Sequence, residues 1–166
     1  MKINDIYEPE NIKYGYVAVK PDFKSANILV NLLKTAGITS GISASDLHST
    51  LMYSKDKSIS GDVKITIQEP FVIYDDIEFK SIETLGDAIV IKFLSKKLED
   101  RFKELSQYLK HSFDDILLHI SVKYYNEEQE SEIKQDLDTI KKYKKEIKEI
   151  FSGIYFTSEY FEELND

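Results

Sequence analysis

The sequence predicts one α+β domain built from two similar lobes, and three observations lead there. Segments that alternate apolar and polar residues take turns along the chain with segments whose apolar residues fall at helical spacing. Two heptapeptides share one pattern. The strand and helix ahead of one heptapeptide map onto those ahead of the other. A chain of 166 residues, 42% hydrophobic and 31% charged, is of a size and composition for a single soluble domain with a real core.

Residues 14–20 (YGYVAVK) alternate, with Val17 and Val19 on one side and Tyr16, Ala18 and Lys20 on the other, and read as a strand ended by Pro21. Ser25 is the expected N-cap of a helix. Ile28, Leu29, Leu32, Leu33 and Ala36 form its apolar face, and Gly37 stops it. A loop rich in Ser, Gly and Thr runs to Ser45. Residues 47–53 (LHSTLMY) are the next strand. Gly61 marks a turn, and 63–67 and 71–79 are expected strands broken by Pro70.

Residues 87–94 (DAIVIKFL) predict a strong strand. Leu98, Phe102, Leu105 and Leu109 mark one face of a second helix. Residues 116–124 are a further strand. From about 128 to 150 the spacing of Ile133, Leu137, Ile140 and Ile147 predicts the longest helix, with acids early and lysines late, as the helix dipole favours. After Gly153, residues 154–158 make a last short strand.

The repeat carries the chemistry. Leu47-His48-Ser49-Thr50-Leu51-Met52-Tyr53 matches Leu118-His119-Ile120-Ser121-Val122-Lys123-Tyr124, and the two histidines lie 71 residues apart. The same offset sets the helix at 25–37 on 96–108 and the strand at 16–20 on 87–91. In a strand, residues i and i+2 share a face, so His48 projects with Thr50 and His119 with Ser121. If the lobes face each other, two imidazoles and two hydroxyls meet in one cleft. One imidazole near its ordinary pKa can take a proton while the other gives one. The hydroxyls suit the non-bridging oxygens of a phosphate. Either the histidines are structural, or they bind a metal, or they form an acid/base pair. Their occurrence in matched heptapeptides, in a chain with 3 histidines, favours the pair. His111 reads as a helix-terminal residue. No third ligand sits at metal-site spacing, so no metal and no cofactor are expected.

The net charge of −8 argues against long nucleic acid as a partner, since that binding rests on neutralising many phosphates. A small anionic ligand needs only a local pocket. The chain has 0 cysteines, which excludes disulfides and thiolate chemistry and suits a reducing compartment. No apolar run is long enough to span a membrane, and residues 1–5 show no signal-peptide core. A cytoplasmic location is expected.

Paired His-x-Thr/Ser motifs on duplicated strand–helix–strand lobes resemble the 2H phosphoesterases, the LigT-like superfamily. Residues 14–21 (YGYVAVKP), 47–53 and 154–160 (IYFTSEY) resemble, more narrowly, the phage anti-CBASS phosphodiesterases. The resemblance covers most of the chain. It implies a bilobal fold with antiparallel sheets around a central cleft. It further implies metal-independent hydrolysis of the 3′–5′ bonds of cyclic di- and trinucleotide messengers such as cGAMP, in the host bacterial cytoplasm, so that CBASS defence is evaded. Within the superfamily, RNA 2′,3′-cyclic phosphates and 2′–5′ linkages are rival substrates, and a non-catalytic cyclic-nucleotide sponge is the rival from another class. By motif, His48 and His119 are the acid/base pair, and Thr50 and Ser121 hold phosphate. Ser121 replaces the commoner threonine but keeps the hydroxyl. Tyr16 either stacks on a base or is a core tyrosine. Glu159 either accepts from an adenine amino group or is a plain surface carboxylate. Lys123 either faces phosphate or reaches into solvent.

Overall fold

The computed structural model describes residues 15–54, 72–107 and 116–163. The expected strand at 63–67, the turn at Gly61, and Tyr14, Pro70, Phe71, Leu109 and His111 lie outside these residues. In chain order the elements are β1 (Gly15–Pro21), α1 (Phe23–Thr35), β2 (Ser49–Ser54), β3 (Glu78–Leu85), β4 (Ala88–Leu94), α2 (Lys96–Leu105), β5 (His119–Tyr124), α3 (Glu130–Lys141), α4 (Lys144–Phe151) and β6 (Phe156–Glu163). They form two three-stranded sheets, ordered β2-β1-β6 and β3-β4-β5. Every pairing is antiparallel. The α+β class is as expected.

The ends of α1 follow from its sequence, though not at the cap first expected. Asp22, not Ser25, caps the N-terminus: its Oδ2 accepts from the Ser25 amide at 3.0 Å. The carboxylate three residues upstream reaches the orphan amide that Ser25 itself supplies. The other oxygen, Oδ1, accepts from the Tyr155 amide at 3.1 Å, and the Asp22 amide donates to the Tyr155 carbonyl at 2.8 Å. One carboxylate thus starts a helix and ties it to the lead-in of β6. Asp22→Ala is expected to cost about 1–2 kcal/mol, read as a lowered urea midpoint with an unchanged slope. At the other end Gly37 takes φ +96°, and the amides of Gly37 and Ile38 return to Lys34 and Leu33, each at 3.0 Å. This is the left-handed stop that glycine supplies.

One buried apolar cluster joins the two sheets and the helices. Val17, Val19 and Leu51 from the first sheet and Ile89, Ile91 and Ile120 from the second are fully buried, with Leu29, Leu98, Ile140 and Ile147 from the four helices. Phe93 of β4 stacks on Phe156 of β6, with ring centroids 5.0 Å apart, so the sheets meet through an aromatic pair.

Three expectations are corrected. The strand at 71–79 is displaced: residues 72–77 hold only an isolated bridge, Tyr74 with Phe156, and β3 begins at Glu78. The long helix is two, because residues 142–143 turn between α3 and α4, with the amides of Lys142 and Tyr143 reaching back only three residues. The last strand is longer than expected and runs to Glu163, where it flanks β1.

Candidate functional site

The two strand pairs that carry the heptapeptides share an irregularity. Between β1 and β2, Val17 faces Met52 and Ala18 faces Thr50, so Leu51 is the extra residue of a bulge. Between β4 and β5, Ile89 faces Lys123 and Val90 faces Ser121, so Val122 is extra. Leu51 and Val122 occupy the same place in the two heptapeptides. A bulge leaves a residue out of the ladder and turns the strand. The spare carbonyl of Val122 accepts from the Ile42 amide at 2.9 Å. A Cβ at Gly41 would come 3.3 Å from that same oxygen, so a side chain there would push the loop before His48 a few tenths of an ångström from β5.

The register also corrects the repeat. Ala18 faces Thr50 and Val90 faces Ser121. The first strands are therefore related by 72 residues, not 71. Val17-Ala18-Val19-Lys20 matches Ile89-Val90-Ile91-Lys92, and Lys92 is the counterpart of Lys20. Lys92 is the direct cross-strand partner of His119. Continuing the register of Val19 with Ser49 by one residue sets Lys20 beside His48.

Both imidazoles are held in one way. His48 Nδ1 lies 3.0 Å from the carbonyl oxygen of Asp46, and His119 Nδ1 lies 2.7 Å from that of Leu117. In each case the acceptor is two residues upstream. A carbonyl can only accept, so both Nδ1 atoms carry the proton. Each Nε2 is then the unprotonated nitrogen of the neutral ring, and neither has a hydrogen-bond partner among the described residues. β2 and β5 pack together, which brings His48 and His119 within electrostatic reach of each other. Burial is the main influence on His119 and pushes its imidazole below its ordinary value; the Leu117 carbonyl opposes this, and the charges of His48 and Lys92 reinforce it. Thr50 and Ser121 are half-buried, and no other described side chain engages either hydroxyl.

The remaining residues sort differently. Tyr16 lies parallel to His48, with centroids 5.6 Å apart and planes 20° apart, and meets the edge of Tyr160. Lys20 donates to the Ser45 carbonyl at 2.9 Å and lies 5.5 Å from the Tyr160 ring centre. Glu159 is no plain surface carboxylate. Its side chain is 3% exposed, and Arg101 of α2 grips both its oxygens at 2.8 Å, which raises the pKa of the guanidinium. Lys123 neither faces phosphate nor reaches solvent. The bulge at Val122 turns it away from His119 and Ser121, and it is buried at 1% exposure. There it donates to Glu132 at 2.6 Å and Asp136 at 3.0 Å. Burial works against its charge, but the two carboxylates outweigh that and hold its pKa up.

Among the described residues no three His, Asp or Glu side chains gather as a metal-binding set. Two hollows lie away from the histidines. One, of about 700 Å³, has walls from Asp87, Glu127 and Glu130, which would repel an anion. The other, of about 470 Å³, lies between α1 and residues 38–43.

Fold and site together define a two-sheet α+β protein in which matched, bulged strand pairs present two identically anchored histidines. The description "Anti-CBASS protein Acb1" belongs to the family model that matches residues 13–166. The chain is a member of this anti-CBASS family, and its role is the evasion of CBASS immunity. No curated protein matches the chain. No helix among the described residues is long and apolar enough to cross a membrane.

Proposed function

We propose that the protein is a 2H-type phosphodiesterase that linearises cyclic di- and trinucleotide messengers in the host bacterial cytoplasm, without metal. The observation that carries this reading is the matched anchoring of His48 and His119, each through Nδ1 to the carbonyl two residues before it. Two imidazoles within electrostatic reach of each other, each held through Nδ1, suit a reaction that needs one proton removed and one supplied. The family's anti-CBASS role supports a cyclic nucleotide as the substrate.

His119 is the better base, since burial favours its neutral form. Its Nε2 takes the proton of a ribose 2′-hydroxyl, and the 2′-oxygen attacks the neighbouring phosphorus. His48, protonated on Nε2, gives its proton to the departing 5′-oxygen as the P–O bond breaks. Thr50 and Ser121 donate to the non-bridging oxygens as charge builds there. Tyr16, flat against His48, fixes that ring and offers an aromatic edge to a base.

The test is incubation with EDTA and a panel of cyclic di- and trinucleotides, and with an RNA ending in a 2′,3′-cyclic phosphate. Products are resolved by chromatography, with His48→Ala as control. Linear products that disappear in the variant are expected. Turnover of the RNA end alone would move the protein to RNA processing. Recovery of unaltered ligand after denaturation would make it a sponge.

A further inference from the structure

The two halves of the site differ in what flanks the histidines. On the β6 side of the first sheet, Tyr160 pairs with Ala18 and Thr157 with Lys20. In the second sheet Glu83 pairs with Val90 and Ser81 with Lys92. Cross-strand partners share a face, so Ser81, Glu83, Lys92, His119 and Ser121 lie on one face of β3-β4-β5. Where the first half-site has the aromatic ring of Tyr160, the second has a carboxylate.

That carboxylate is engaged. Lys92 donates to Glu83 Oε1 at 2.9 Å, and the Ser81 hydroxyl donates to Oε2. The lysine side chain is 17% exposed and the glutamate 44%. An ion pair with one member so open to water contributes little to stability, so exchanging its anion is cheap. Lys92 sits beside His119, the ring that must lie next to the reacting phosphate.

We propose that Lys92 is a substrate-binding residue of the second half-site, and that Glu83 is a stand-in anion which Lys92 exchanges for a phosphate of the cyclic nucleotide. The inference rests on the phosphodiesterase reading above. A lysine freed from Glu83 gives the His119 half a cation, matching Lys20 in the His48 half. Lys92 then takes the phosphate that His119 faces.

The exchange makes opposite predictions for its two members. Binding of a phosphorothioate-stabilised cyclic GMP–AMP is measured by calorimetry on the parent protein, Lys92→Gln, Lys92→Arg and Glu83→Gln. Losing a charge-assisted hydrogen bond to phosphate weakens Kd about tenfold or more in Lys92→Gln, and Lys92→Arg restores most of it. Glu83→Gln removes the competing anion and tightens Kd. An ion pair that serves the fold alone would leave both Gln variants unchanged or weaken both, and either result overturns the proposal while leaving the parent's activity intact. A parent protein that neither binds the probe nor cleaves any cyclic nucleotide removes the phosphodiesterase reading itself, and the exchange with it.

Discussion

Replacing His119 with Ala is expected to slow cleavage of a cyclic dinucleotide by about 10²–10⁴-fold, the range for losing a positioned acid or base. His48→Ala should cost a similar factor, because both rings are anchored alike through Nδ1. The double variant should be little worse than either single, since each proton transfer is useless without the other. The pH profile is the finer check. Burial depresses the His119 pKa, so its neutral form persists to lower pH than for a free imidazole. The acid limb of kcat/KM should therefore fall below the ordinary value of 6.5. The same sign governs stability. A depressed folded pKa gives a contribution present above the unfolded value and lost as pH drops through the folded one. His119→Ala should flatten that acid loss, seen as a smaller difference in melting temperature between pH 7 and pH 5. Full activity in either single variant would remove the mechanism.

The second large effect is on stability. Arg101 and Glu159 are 15% and 3% exposed and joined by two parallel hydrogen bonds. Arg101→Met leaves a carboxylate in a nearly dry site with no counter-charge, which costs about 3–5 kcal/mol. Pairing it with Glu159→Leu should recover most of that, because replacing a buried pair by apolar groups is often neutral. Chemical denaturation of the two singles and the double closes the cycle. A single variant within about 0.5 kcal/mol of the parent would show that water reaches Glu159 after all.

Much of the fold is readable in the chain because its central strands and amphipathic helices follow simple periods. β1 and β4 carry runs of buried aliphatic residues, α1 ends at a glycine that adopts φ +96°, and the two histidines advertise the repeat. The failures have local causes. β3 is a half-exposed strand in which only Ile82 is buried, so its Lys-Ser-Ile-Glu-Thr-Leu run carries almost no apolar signal. The break between α3 and α4 falls in a lysine-rich stretch with neither Gly nor Pro to mark it. Strict alternation sets Lys123 on the face of His119 and Ser121, and alternation fails across the bulge at Val122. Lys92 is hidden for a related reason. A single offset of 71 slides β4 by one residue, and a one-residue slip exchanges the two faces of a strand. The pattern Val-x-Val-Lys against Ile-x-Ile-Lys was the available signal.

The place of β6 has a consequence for how the chain is made. β1 lies between β2 and β6, yet Pro21 and Phe156 stand 135 residues apart along the chain. At about 5–20 residues per second, β6 leaves the ribosome on the order of ten seconds after β1. All three strands of the other sheet lie within residues 78–124 and emerge before β6. The half carrying His119 can thus assemble during translation, while β1 keeps one unpaired edge, the kind of edge that invites wrong pairing. The newborn protein then carries one finished half-site and waits on its last strand for the other.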